Sequence, residues 1–101
     1  NFMKGIVWYN TLERGMEMME KIEENYKRYH YANVLTKTCG NRRYELVFDN
    51  GDYWKMVPAH ESARGNACNI SYIDNEIPFD IIHDIVKPCT KAGPYQAFKY
   101  F

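Results

Sequence analysis

The firmest constraint in this chain is a change of period within its first thirty residues. Met3–Tyr9, MKGIVWY, has a continuous apolar and aromatic middle, as expected for a strand covered on both faces. Leu12, Met16, Met19, Ile22, Tyr26 and Tyr29 then recur at steps of three and four, the single apolar stripe of a helix. Asn10 followed by Glu13 reads as an N-cap with its capping-box partner. Lys27, Arg28 and His30 suit the negative end of the helix dipole. A helix over residues 11–30 is therefore predicted. A buried strand leading straight into an amphipathic helix favours an α/β sheet with some parallel pairing.

The rest of the chain makes that sheet mixed. Asn33–Thr38 reads as a short strand and Cys39-Gly40-Asn41 as a turn. Arg43–Asp49 and Asp52–Val57 read as two strands joined at Asn50-Gly51, the dipeptide favoured in type I′ hairpin turns. Ala59–Ala67 is polar and small and reads as a loop pivoting at Gly65. Cys68–Ile73 alternates as a strand. Pro78 can open a short helix through Phe79, Ile82, Ile85 and Val86 to Pro88. Tyr95–Phe101 alternates again and reads as an edge strand or as a segment folded over the core. The expected fold is one domain over residues 1–101, a small mixed β-sheet with one long and one short helix.

At 101 residues, with 46% hydrophobic and 16% aromatic residues, the chain can build one core without staples. Thirteen basic and thirteen acidic residues cancel, which removes long-range attraction to nucleic acid and also one barrier to self-association. Cys39, Cys68 and Cys89 are odd in number and lack Cys-x-x-Cys spacing. A disulfide framework and a structural zinc are not expected, and a reducing cytoplasm is. No apolar run approaches the ~20 residues that span a bilayer, so no membrane partner is expected. Asn1-Phe2 reads as a cloning remnant ahead of Met3. The sequon Asn69-Ile70-Ser71, inside an expected strand, carries no weight.

Three motifs in order carry a family resemblance: Phe48-Asp49-Asn50-Gly51, then Ser62-Ala63-Arg64-Gly65, then Ile70–Ile73 ending in Asp74-Asn75-Glu76. This order, with the strand–helix unit before it and the apolar helix after it, resembles the ATPase domain of phage terminase large subunits, members of the P-loop NTPase superfamily. The likeness covers most of residues 4–90. It implies a P-loop-NTPase-like fragment, with Asp74 where the family holds Mg²⁺ and a following carboxylate to activate water. Two departures stand against activity. No Gly-x-x-x-x-Gly-Lys-[Ser/Thr] loop exists to cradle phosphates, and Asn75 splits the Asp-Glu pair. No cofactor is expected.

Asp74, Glu76, Asp80 and Asp84 are the carboxylates a metal-dependent nuclease or phosphate-processing enzyme would use, with Lys55 as its cation. The simpler reading makes them a turn, a helix start and solvated charge. Tyr53, Trp54, Arg64, Arg42 and Arg43 are the candidate binding residues. They offer rigid aromatic area and cations for a protein partner, or for single-stranded nucleic acid. Cys68 beside His60 or His83 would make a thiol nucleophile only with a lowered pKa and an oriented base. The expected function is therefore non-enzymatic, a phage or prophage protein that binds a protein partner, possibly within a DNA-processing machine.

Overall fold

The buried strand and the helix behind it organise the whole molecule. A computed structural model describes residues 2–101, leaving aside the side chain of Glu61. Strand β1 (Lys4–Tyr9) is buried from Gly5 to Tyr9, and helix α1 (Leu12–Tyr29) follows after two residues. Four more strands come next in the chain: β2 (Val34–Gly40), β3 (Arg43–Phe48), β4 (Tyr53–Pro58) and β5 (Ile70–Ile73). A single 3₁₀ turn, Glu61–Ala63, interrupts the loop after β4. Helix α2 runs in three pieces, Phe79–Ile81, a π-helical Ile82–Val86 and Lys87–Cys89, before β6 (Ala97–Tyr100).

The six strands form one mixed sheet in the order β2-β3-β4-β1-β5-β6. β4, β1, β5 and β6 are parallel neighbours, while β3 runs antiparallel to both β2 and β4. Alternation along β1 sends Val7 and Tyr9 to one face and Ile6 and Trp8 to the other. The first face packs on Met19, Ile22 and Tyr26 of α1, together with Tyr44, Leu46, Phe48, Trp54 and Met56. The second packs on Ile82, Ile85 and Val86 of α2. Gly5 is required where β1 meets β4, because a Cβ there would run into the Trp54 ring. No helix among the described residues is long and apolar enough to cross a membrane.

Several local expectations need correction. The helix N-cap is Thr11, whose hydroxyl accepts from the Arg14 N–H (3.4 Å), and not Asn10. Tyr29, the last residue of α1, leaves the stripe and is 66% exposed. The turn with two consecutive positive φ values is Asn41-Arg42 (51° and 63°), flanked by the pair Gly40–Arg43, so β2 extends to Gly40. At Asn50-Gly51 only the glycine has positive φ (93°). There the Phe48 N–H donates to the Asp52 carbonyl and the Gly51 N–H to the Phe48 carbonyl, closing a three-residue loop with glycine at its positive-φ position. The Asn50 side chain accepts from the Asp52 N–H (3.0 Å), an alternative to the left-handed backbone.

Candidate functional site

The chain leaves β1 across one face of the sheet and leaves β5 across the other. The carboxyl ends of these two neighbouring strands therefore flank a topological switch point, where open α/β sheets bind ligands. Asp74 sits there, directly after β5, and is fully buried. One carboxylate oxygen accepts from the Asn10 N–H (3.0 Å) and from Arg14 Nε (2.9 Å), and the other from the Glu76 N–H (3.0 Å). Burial pushes the Asp74 pKa up. The Arg14 hydrogen bond and the two backbone N–H groups outweigh it and hold the carboxyl below its usual value. The same contact, chiefly the hydrogen bond to Asp74, raises the Arg14 pKa.

Arg14 completes the junction. Its Nη2 donates to the Phe101 carbonyl (2.9 Å) and reaches Asn75 Oδ1 (3.5 Å), and its guanidinium lies 5.4 Å from the Phe101 ring centroid. The Asn75 N–H also donates to the Phe101 carbonyl (2.8 Å). Helix α1, the end of β5 and the end of β6 are thus tied together through one ion pair. Chemically, Asp74 is a neutralised, hydrogen-bonded anchor with three donors on its two oxygens. Glu76 contributes only its backbone N–H to Asp74, and its residue is exposed.

The other candidate carboxylates do not converge on Asp74. Asp80 and Asp84 lie exposed on α2, and Asp84 pairs with His83 (2.8 Å). Among the described residues no group of three or more His, Cys, Asp or Glu side chains could hold a metal. Lys55, on β4, donates instead to Asn66 Oδ1 (2.7 Å). Cys68 is buried, and burial pushes its thiol pKa up although Ser71 and Thr90 hydrogen-bond to it. His60 is exposed and bonded to Ser62. A thiol nucleophile has neither the pKa nor the base it needs.

The candidate binding residues separate. Trp54 is 3% exposed in the α1-side core, edge-on to Tyr72, with its indole N–H donating to Tyr26 (2.9 Å), so it offers no surface. Arg64 donates to the Asp84 carbonyl (3.2 Å). That oxygen lies four residues before Pro88, which has no N–H to give it, so Arg64 supports α2. Tyr53 and Arg43 share a sheet face and are joined through Glu45, which both contact by hydrogen bonds. Burial and then Glu45 push the Tyr53 pKa up to about 12. Arg42 is exposed in the turn with φ 63°.

Two features escaped the motif reading. Arg14 stands in the first turn of α1, where the helix dipole disfavours a cation, and that misplacement is a readable sign of a tertiary partner. Strand β2 forms one sheet edge and is exposed at every residue from Leu35 to Gly40. Leu35 within it and Tyr31 just before it are 68% and 88% exposed. Between β2 and α1 lies a groove of about 380 Å³ lined by Glu20, Glu24, Lys27, Lys37, Cys39 and Tyr44. The chain matches no protein-family model, and neither the curated proteins nor the solved structures searched yield a match.

Proposed function

We propose that this chain is a non-enzymatic recognition domain that takes an extended segment of a protein partner onto the outer edge of β2. The observation carrying this reading is the edge itself. Seven residues of strand end the sheet, six of them exposed, with no further strand among the described residues pairing their outer N–H and C=O groups. Such an edge pairs readily with another chain unless it is blunted, and main-chain ladders of this kind are a recurrent mode of peptide recognition. Leu35 and Tyr31 supply apolar area beside it, and the α1–β2 groove can receive alternate side chains of the incoming segment. The engaged state of Asp74 supports a binding role over turnover. The terminase-like order of motifs adds the proposal that the partner belongs to a phage or prophage DNA-processing machine in the cytoplasm; this part rests on the sequence pattern alone.

Neighbouring residues of a strand direct their N–H groups to opposite edges, so proline at Thr36 and at Lys37 perturbs the two edges separately. A random-peptide library panned on the purified domain should enrich segments of high β-propensity. Of Thr36→Pro and Lys37→Pro, the variant that keeps the β2–β3 ladder and melts like wild type should lose those peptides. Peptides that bind this folded variant unchanged, or a library that yields none, would refute the reading.

A further inference from the structure

The sheet face opposite α1 is covered by α2 only over its β1–β5 half, and the uncovered part has a charge pattern of its own. Strand register arranges it in rows. Thr36, Val47, Tyr53 and Lys4 are successive neighbours in one row, and Thr38, Glu45, Lys55 and Ile6 in the next. Arg43 stands beyond Glu45 on the same side of β3. Among the described residues of its strands, the face therefore holds three cations, Lys4, Arg43 and Lys55, against the carboxylate of Glu45.

That carboxylate is already engaged. It accepts from the Tyr53 hydroxyl and from Arg43, and these bonds hold its pKa down. Lys4 and Lys55 make their close side-chain contacts with neutral groups, although Glu45 is the cross-strand neighbour of Lys55 and partly offsets its charge. Lys4 Nζ lies 5.5 Å from the centroid of the Tyr53 ring, and Lys55 Nζ donates to the Asn66 amide oxygen. Neither makes an ion pair among the described residues. They stand diagonally across the parallel strands β1 and β4, in adjacent rows of one face. Burial and then the nearby Lys4 charge lower the Lys55 pKa, with Glu45 offsetting them only in part. Two like charges with no ion-pair partner among the described residues, beside an aromatic ring on a half-exposed sheet face, form a surface complementary to a polyanion that carries planar groups.

We infer that this face, centred on Lys4, Lys55 and Tyr53, is a second binding surface, for single-stranded nucleic acid. Phosphates would neutralise the two lysines and Arg43 from outside, while a base lies against Tyr53, whose ring Glu45 holds in place. Thr36 and Thr38 extend the face with hydroxyl groups towards β2. The inference is independent of the β2 edge reading, since it uses side chains of one face and not the strand's outer backbone.

The chain's zero net charge supplies no long-range attraction, so the affinity should be local and its salt dependence shallow. Three neutralised phosphates give a slope of about −2 in log affinity against log salt for a single strand, roughly a twentyfold loss between 50 and 200 mM. The test is fluorescence anisotropy with labelled twelve-nucleotide oligo-dT, oligo-U and a duplex of equal length. Wild type, Lys4→Gln/Lys55→Gln and Lys4→Arg/Lys55→Arg are compared, each checked by thermal melting. Binding of single strands with that slope, at least tenfold weaker in the Gln variant and retained in the Arg variant, is the expected result. Should the Gln variant fail to fold, amide shifts in wild-type ¹⁵N spectra on adding oligo-dT must cluster at Lys4, Tyr53 and Lys55. No binding at 50 mM salt, binding indifferent to the Gln substitutions, tighter binding of the duplex, or shifts clustered elsewhere would overturn the inference.

Discussion

Replacing Asp74 by Asn should sharply destabilise the domain, because the substitution keeps the shape and removes the charge that three donors share. With the amide oxygen left on Arg14 and Asn10, the new NH₂ group faces the Glu76 N–H, donor against donor. One charge-assisted bond at a fully buried site is lost outright, roughly 1.5–3 kcal/mol, and the other two become ordinary bonds at about half their strength. Arg14, with its side chain 35% exposed, can turn partly to water, which limits the damage. The net expectation is about 3 kcal/mol, or a drop of roughly 15 °C in Tm for a domain of this size. Urea unfolding followed by circular dichroism at pH 7 would measure it.

The pH dependence has a definite sign. The folded-state pKa of Asp74 is lowered, so its contribution is present above the unfolded carboxyl value of about 3.9 and is lost as pH falls through the folded value. Asp74→Asn should therefore lack that part of the acid destabilisation and approach wild type at low pH. A carboxylate kept for catalysis behaves in the opposite way, since its neutral replacement commonly stabilises the fold. An Asp74→Asn protein at least as stable as wild type would refute the reasoning.

Three further outcomes follow from the two cores. Tyr26→Phe removes a hydroxyl that donates to Asp52 (2.6 Å) and accepts from the Trp54 indole (2.9 Å), leaving two buried polar groups short of a partner. It should cost about 2–3 kcal/mol by urea denaturation while the ring stack on Phe48 survives. Gly5→Ala would press a methyl group into the Trp54 ring and should cost at least 1–3 kcal/mol, visible as a lowered Tm and an altered near-ultraviolet tryptophan signal. A thiol reagent at pH 8 should label Cys39 quickly and Cys68 and Cys89 only on unfolding, since Cys39 alone of the three is exposed; equal rates for all three would contradict the packing of the α2-side core.

The fold class is legible because β1 and α1 state their periods plainly, and β6 and the short helix do so well enough. Register and edge identity are not, because they depend on pairings far apart in the chain. The two hairpin turns show how local signals mislead. Asn50-Gly51 has the favoured residues, yet Asn50 uses its side chain on the Asp52 N–H, while Asn41-Arg42 accepts two positive φ values with a poorer dipeptide. Sequence pattern also does not show which candidate residues have a tertiary partner. Trp54 is taken by Tyr26 and Tyr72, and Arg64 by a carbonyl that Pro88 leaves without a donor. Asp74 was conspicuous at the end of its strand, but its partner Arg14 is sixty residues earlier in sequence. Only the three-dimensional structure shows that the conspicuous carboxylate is already occupied.

The switch-point carboxylate of Asp74 ties α1, β5 and β6 together, and the recognition role proposed above leaves it no metal or nucleotide to hold. Thermal unfolding of wild type and Asp74→Asn in the presence of Mg²⁺, Mn²⁺, ATP and GTP tests it most directly. A ligand bound at ~100 times its dissociation constant adds roughly 2.7 kcal/mol, several degrees for a domain of this size. None of these ligands should raise the wild-type Tm, and Asp74→Asn should melt well below wild type in every condition. A metal- or nucleotide-dependent rise in wild type that disappears in Asp74→Asn would contradict this reading and make Asp74 the centre of an active site.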